Sequence, residues 1–162
     1  MAKRSTRTSR SRRPADTAAQ AVESLGVRYI ESSALVAALL ERDAAALKSV
    51  RTKGRLITSA LTIAEAARAI LRARASARLT ADEERAAVRA LRRFERRSYV
   101  VAVTEAVLAR VRRPFPVEPI RTLDAVHLAT AELLGEPPQL VTVVTRDARV
   151  RDNARALGYT LE

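Results

Sequence analysis

Short apolar runs rich in β-branched residues alternate along the chain with longer stretches in which apolar positions recur at helical spacing. The runs predict strands at residues 27–30, 55–58, 99–103, 140–144 and 159–161. The spaced stretches predict helices at residues 33–47, 61–75, 80–97, 121–134 and 147–157, with a short one from residue 104. Strands that alternate with helices in this way are typical of an α/β fold built on a mainly parallel sheet.

Polar residues at the predicted helix starts indicate how these helices are capped. Ser32 or Ser33 is expected to cap the first helix, and Ser59 or Thr62 is expected to open the helix after the second strand. Residues 80–83 have a threonine followed three positions later by a glutamate, which is the spacing of a capping box. These signals support the predicted helix starts independently of the apolar pattern.

Length and composition divide the chain into two parts. Its 162 residues and 48% hydrophobic content suit a single domain with a substantial core. The first fourteen residues carry six Lys or Arg and no acid, about half of the net charge of +12. We therefore expect a flexible basic arm over residues 1–24 and a globular domain over residues 25–162. The arm either adds nonspecific affinity for nucleic acid or is a solvated tail, and its composition leaves both open.

The remaining composition narrows the class of protein. Cysteine is absent, which excludes disulfides and thiolate metal sites. No apolar run approaches the length that spans a bilayer, and none follows the basic N-terminus as in a signal peptide. We therefore expect a cytoplasmic protein with no membrane partner. The positive charge favours a polyanion such as RNA or DNA.

Four acidic residues stand where an α/β fold places its active site, near the carboxyl ends of strands. Glu31 directly follows the first strand and Asp147 closely follows the fourth, while Glu65 and Asp124 lie near the starts of largely apolar helices. Acids at helix starts often only cap amides and complement the helix dipole, so this interpretation stays open for each residue alone. A buried carboxylate, however, costs several kcal/mol unless it is paired or binds a metal.

Bringing four carboxylates together requires a compensating charge. At about 5 Å and an effective dielectric near 20, each pair of like charges repels by roughly 3 kcal/mol. A divalent cation reverses the sign of that interaction, and an all-oxygen site suits Mg²⁺ or Mn²⁺ rather than Zn²⁺. Such a cation together with a basic surface suggests hydrolysis of phosphodiester bonds.

Four sequence blocks in this order resemble the PIN-domain family, and most of all its VapC-type toxins from VapBC toxin–antitoxin pairs. The blocks are YIESSALV, SALTIAEAARAIL, RTLDAVHLATA and VVTRDARVRDNARALGY, and together they span about residues 27–161. The resemblance implies a three-layer α/β/α fold with a parallel sheet of four to five strands. It also implies a Mg²⁺- or Mn²⁺-dependent endoribonuclease acting on RNA, a small antitoxin partner and a homodimer.

The resemblance assigns residues to the site. The metal-binding and catalytic acids by this assignment are Glu31, Glu65, Asp124 and Asp147. Ser33 and Thr145 match the hydroxyl residues near the first and last acids. The family's first acid is usually aspartate, so Glu31 is a departure that moves the carboxylate by about one bond length, and sites of this kind need placement within about half an ångström. We expect retained activity, and the alternative is a catalytically impaired domain that binds RNA or antitoxin.

Several other residues allow two interpretations. Arg121 either holds a phosphate or orients Asp124, or else forms a structural ion pair. Asp152 is an outer acid of the site or, as the more ordinary interpretation, part of a solvated helix face. His127, the single histidine, is a conceivable general base, but a packed or hydrogen-bonded structural histidine is the expected role. A third hypothesis is a basic nucleic-acid-binding module without catalysis, driven by the N-terminal arm.

Overall fold

In a computed structural model of the chain, residues 26–162 are described, so the predicted arm at residues 1–24 lies outside them. The strands are Val27–Ile30 (β1), Leu56–Ser59 (β2), Tyr99–Val101 (β3), Val141–Val144 (β4) and Thr160–Leu161 (β5). The helices are Ser32–Leu40 (α1), Ala44–Arg51 (α2), Ala60–Ala75 (α3), Ala81–Arg97 (α4), Glu105–Val111 (α5), Thr122–Glu132 (α6) and Ala148–Ala156 (α7).

The five strands form one parallel sheet in the order β3-β2-β1-β4-β5. β1 lies at the centre and pairs with β4 along its whole length, from Val27 opposite Val141 to Ile30 opposite Val144. Because the two strands run in the same direction and in this register, the residues that follow them leave the sheet side by side. The register therefore brings Glu31 and Thr145 to the same edge.

Helices cover both faces of the sheet, as the alternation of strand side chains requires. On one face, Val27 and Tyr29 of β1 belong to a core that α5, α6 and α7 complete. On the other face, Ile30 belongs to a second core shared with α1, α2, α3 and α4. The three-layer α/β/α arrangement with a parallel sheet is confirmed. Within residues 26–162, no helix is both long and apolar enough to cross a membrane.

The predicted single helix at residues 33–47 is wrong, because the segment forms two helices. The chain turns at Arg42, whose φ is +57°, and Asp43 then accepts a hydrogen bond from the Ala46 amide and begins α2. The predicted cap of α1 is also wrong: the N-cap is Glu31, whose side chain accepts from the Ser33 amide. The left-handed conformation at Arg42 and the N-cap at Asp43 thus divide the segment into two helices, although its apolar pattern is continuous.

Other boundaries follow the sequence signals closely. Ser59, rather than Thr62, caps α3, and residues 80–83 form the full capping box at the start of α4. The strand predicted at 99–103 ends at Val101, and the one predicted at 140–144 begins at Val141 because Pro138–Leu140 forms a 3₁₀ turn. These shifts of one or two residues are the usual uncertainty of element ends.

Candidate active site

Glu31 leaves the end of β1 and is held there by hydrogen bonds from neighbouring donors. Its Oε2 accepts from the Ser33 amide at 3.0 Å, from the Thr145 hydroxyl at 2.8 Å and from the Ser33 hydroxyl. Its Oε1 accepts from the Ser32 hydroxyl at 2.6 Å. The residue is only 3% exposed. These hydrogen bonds to a buried carboxylate fix the position of the Glu31 side chain.

Ser33 and Thr145 connect the exits of β1 and β4. The Ser33 hydroxyl accepts from the backbone amides of Arg146, at 2.7 Å, and Asp147, at 3.1 Å. The Thr145 hydroxyl accepts from the Asp147 amide at 3.0 Å while it donates to Glu31. The two predicted hydroxyl residues therefore lie in direct contact with Glu31 and with the backbone that carries Asp147.

Glu65 lies near the start of α3 and contacts His127, which projects from α6. The distance between Glu65 Oε2 and His127 Nε2 is 2.8 Å, and Glu31 Oε1 lies 3.6 Å from the same nitrogen. Glu31, Glu65 and His127 each offer one ligand atom, and these atoms all lie within 4.8 Å of one another. Burial raises the pKa of Glu65, but hydrogen bonds from His127 and Ser32 outweigh it and hold that pKa below its usual value.

Asp124 lies in the first turn of α6, and its carboxylate is less well hydrogen-bonded than that of Glu31. Its Oδ2 atom is buried and finds no hydrogen-bond partner among the described residues. Burial, followed by the charges of Asp147 and Glu31, raises the pKa of Asp124, and the charge of Arg121 only partly offsets this. The structure therefore places a carboxylate oxygen that accepts no hydrogen bond within the described residues close to Asp147 and Glu31.

Asp147 acts as the N-cap of α7. Its Oδ1 accepts from the backbone amides of Arg149, at 2.8 Å, and Val150, at 3.1 Å. The cap therefore uses one carboxylate oxygen. Asp147 and Asp124 are not part of the cluster within 4.8 Å, which holds Glu31, Glu65 and His127 only. The charge of Asp147 nevertheless acts on Asp124, so the four predicted acids share one region of the molecule.

Asp152 lies apart from this region. It is on the exposed face of α7, where it forms an ion pair with Arg155 at 3.2 Å, one turn along the same helix. The carboxylate is 54% exposed. The structure does not bring Asp152 to the acids, in agreement with the interpretation as a solvated helix face.

His127 lies closer to the acids than its sequence pattern predicts. The ring is buried and hydrogen-bonded, as expected of a structural histidine, but its partners are two of the predicted acids. The sequence signalled only that His127 lies near Asp124, which it follows by three residues on a helix whose other positions nearby are apolar. Residues three apart lie on the same face of a helix, so the side chains of Asp124 and His127 are neighbours on one face of α6.

The residues present fit a hard divalent cation. The atoms that converge are carboxylate oxygens of Glu31 and Glu65, which Mg²⁺ and Mn²⁺ prefer, together with a ring nitrogen of His127, and thiolates are absent from the chain. Asp124 Oδ2 is a buried acceptor that has no hydrogen-bond partner among residues 26–162. A cation bound here would be held by Glu31, Glu65 and Asp124, with Asp147 at its side.

Comparisons with known proteins identify the family of the chain. A family model described as the PIN domain matches residues 28–156. Ribonuclease VapC35 of Mycobacterium tuberculosis is 39% identical over 141 residues, covering 82% of this chain and 93% of that protein. Ribonuclease VapC46 of the same organism is 39% identical over 135 residues, covering 82% of this chain and 94% of that protein.

Solved structures are similar in fold. A chain of the VapBC2 complex from Rickettsia felis, bound to a promoter DNA fragment, superposes with a TM-score of 0.58 at 12% identity and covers 84% of this chain and 97% of its own length. A chain of VapBC-1 from nontypeable Haemophilus influenzae gives a TM-score of 0.53 at 13% identity, covering 84% of this chain and 96% of its own. On the family model and the relatives at 39% identity together, the chain belongs to the PIN-domain family, as a VapC-type member.

Proposed function

We propose that the protein is a metal-dependent endoribonuclease, the toxin of a VapBC-type toxin–antitoxin system, and that it works in the cytoplasm. The observation that carries the metal-dependent chemistry is Asp124 Oδ2, a buried oxygen that has no hydrogen-bond partner within residues 26–162 and lies beside the charges of Glu31 and Asp147. A protein that kept this oxygen only for structure would gain stability by pairing or removing it. Its retention next to other acids is what a cation site requires.

The residue roles follow from the contacts. Glu31, Glu65, Asp124 and Asp147 hold the cation, which we take to be Mg²⁺ or Mn²⁺. Such a cation, when bound, lowers the pKa of a water and stabilises charge on a phosphodiester in the course of hydrolysis. Ser33 and Thr145 fix the Glu31 carboxylate through their hydroxyl groups. Arg121 places a positive charge beside Asp124, where it favours an approaching phosphate.

The direct test is cleavage of RNA by the purified protein with Mg²⁺ or Mn²⁺, comparing wild type with Asp124→Asn. A bound cation contributes several kcal/mol to the transition state, so we expect kcat to fall roughly a hundredfold or more. Asp82→Asn is the matched control, because Asp82 is an exposed acid at the start of α4 and its ion pair within the described residues is with Arg85. Equal cleavage by wild type and Asp124→Asn would overturn the proposal.

The departure at Glu31 separates an active enzyme from an impaired one. We expect the wild-type protein to cleave RNA, because four donors place the Glu31 carboxylate and the longer side chain is accommodated without an unmet oxygen. The discriminating variant is Glu31→Asp. Cleavage that appears only in this variant would show that the natural protein is a binder rather than a nuclease.

The partner we propose is a small antitoxin. Apolar side chains from α1, α2 and α4 line a groove, and three arginines border it; the residues are Leu35, Leu39, Leu47, Val50, Arg51, Ala90, Arg93, Phe94 and Arg97. This surface suits a segment that presents apolar and acidic side chains together. The test is co-expression with a short reading frame that adjoins the gene: the product of a cognate antitoxin gene should co-purify with the protein and suppress RNA cleavage. Charge reversal at Arg93 and Arg97 should weaken that capture.

We also propose that the protein forms a homodimer. Exposed leucines on and beside α5 and α6 support a contact between copies, and these are Leu108, Leu123 and Leu133. Light scattering over a range of concentrations tests this directly. A constant monomer mass at all concentrations would contradict it.

A further inference from the structure

We propose that His127 is a positioning residue, whose Nε2–H group holds the carboxylates of Glu65 and Glu31 in the arrangement that a cation needs. The inference rests on the proposed metal-dependent activity and deepens it. It assigns to the single histidine a function that the four acids alone do not supply.

The geometry places the imidazole edge between two acids. Nε2 lies 2.8 Å from Glu65 Oε2 and 3.6 Å from Glu31 Oε1, so one nitrogen faces both carboxylates. The ring is 1% exposed, and water therefore does not replace it as a donor. Glu31 directly follows β1, Glu65 lies on α3 and His127 lies on α6, so this contact joins three segments that are distant in sequence.

The opposite side of the ring determines which nitrogen carries the proton. The Tyr29 hydroxyl lies 3.4 Å from Nδ1, and it is the polar contact that residues 26–162 offer to that nitrogen. A phenol is protonated at neutral pH, so Tyr29 can donate and Nδ1 can accept. With Nδ1 as the acceptor, the ring hydrogen lies on Nε2, which faces the Glu65 carboxylate. Both contacts thus select the same tautomer.

A donor between the two carboxylates has a definite consequence. Without it, Glu31 and Glu65 would face each other as like charges, and Glu65, which is half-buried, would lose its strongest nearby donor. Groups that hold metal ligands through a hydrogen bond typically change metal affinity ten- to a hundredfold when they are removed. A histidine that served only to fill the core would be replaceable by any side chain of similar size.

The first test reads the tautomer of the ring. The chain has one histidine, so long-range ¹H–¹⁵N spectra of the untagged full-length protein contain a single imidazole. We expect the pattern of the Nε2–H tautomer in wild type and a mixture of tautomers in Tyr29→Phe. An Nδ1–H tautomer in the wild-type protein would overturn the proposal, and this result does not depend on whether the protein cleaves RNA.

The second test measures Mn²⁺ affinity by calorimetric titration of wild type, His127→Gln and His127→Leu. Glutamine can place an amide donor near the position of Nε2, whereas leucine fills the space without a donor. We expect His127→Leu to weaken Mn²⁺ binding about tenfold or more and His127→Gln to weaken it about threefold or less. Unchanged affinity in His127→Leu would overturn the proposal, and so would equal losses in both variants.

The two proposals fail in different ways. Wild-type protein that binds no Mn²⁺ would overturn the proposed metal-dependent function, while the tautomer result would remain valid for the apo protein. Thermal unfolding in EDTA serves as the fold control for both substitutions. His127→Leu that unfolds like wild type but binds Mn²⁺ weakly supports positioning of the carboxylates over core packing.

Discussion

The two sides of the acidic site are built in opposite ways. At the end of β1, Glu31 is buried, and protein donors reach both of its oxygens. At the start of α6, Asp124 carries a buried oxygen that has no partner among the described residues, and like charges act on it. Both carboxylates lie in the same region. The protein supplies hydrogen-bond donors to both oxygens of Glu31, but none within residues 26–162 reaches Asp124 Oδ2.

This difference separates structure from proposed function within one site. The donors around Glu31 include side chains from the exits of both central strands, so that carboxylate also stabilises the junction of β1 and β4. Asp124 contributes little to such a junction, and its folded environment disfavours its charge. We therefore expect substitutions at the two positions to affect folding and cation binding in different proportions.

The largest expected difference is in the stability of the apo protein. Glu31→Ala removes the acceptor of several charge-assisted hydrogen bonds, and we expect the free energy of unfolding to fall by about 3 kcal/mol. Asp124→Ala removes an unmet, repelled carboxylate, and we expect a change within about 1 kcal/mol of wild type. Urea unfolding in EDTA, followed by circular dichroism, measures both.

The same variants in the presence of Mn²⁺ sharpen the contrast. Wild type should gain stability with Mn²⁺ concentration, since a ligand that binds the folded state shifts its unfolding. Asp124→Ala should lose that gain while it keeps its apo stability. Equal destabilisation of the apo protein by the two alanine substitutions would remove the distinction between the two sides of the site.

A smaller effect is expected from the hydroxyl that joins the strand exits. Thr145→Val keeps the shape of the side chain but removes the donor to Glu31 and the acceptor for the Asp147 amide. We expect the free energy of unfolding to fall by about 1.5 kcal/mol. Thr122→Val, at the exposed first residue of α6, is the matched control, because the Thr122 hydroxyl makes no hydrogen bond within residues 26–162. It should change the free energy of unfolding by no more than about 0.5 kcal/mol. Similar losses in both variants would argue against a special role of the junction.

The smallest expected effect on stability comes from the ion pair between Asp43 and Arg146, whose Nε lies 2.8 Å from Asp43 Oδ2. Arg146 directly follows Thr145, which contacts Glu31. The hydrogen bond from Arg146, followed by that from the Ala46 amide, lowers the pKa of Asp43 to about 2. The pKa of an unfolded aspartate is about 3.9, so the stability from this carboxylate is present above about pH 4 and is lost as the pH falls towards 2.

The variant Asp43→Asn tests this pH dependence. It should be less stable than wild type above pH 4, and the difference should shrink steadily between about pH 4 and pH 2. Urea midpoints measured across that range, with Asp82→Asn as an exposed control, give the comparison. A difference that stays constant down to pH 2 would mean that Asp43 acts through packing and not through its charge.

Part of the site was predictable from the sequence, because polar and acidic residues directly follow the ends of β1 and β4. Glu31 and Thr145 come immediately after apolar runs, and parallel pairing places such exits at one edge. The contact of His127 with Glu65 was missed because it joins residues 62 positions apart, and no local pattern encodes that contact. The break at Arg42 was missed because apolar residues continue on both sides of it.

By itself, the amino-acid sequence determined the order of strands and helices, the parallel character of the sheet and the family, because these depend on periodicity and on short motifs. Only the tertiary structure decided how each carboxylate is satisfied. It supplied three hydroxyl groups to Glu31, a histidine to Glu65 and an amide pair to Asp147, and it left Asp124 Oδ2 without a partner among residues 26–162. Hydrogen-bond partners are chosen by the packing of distant elements, and that packing exists only once the chain has folded.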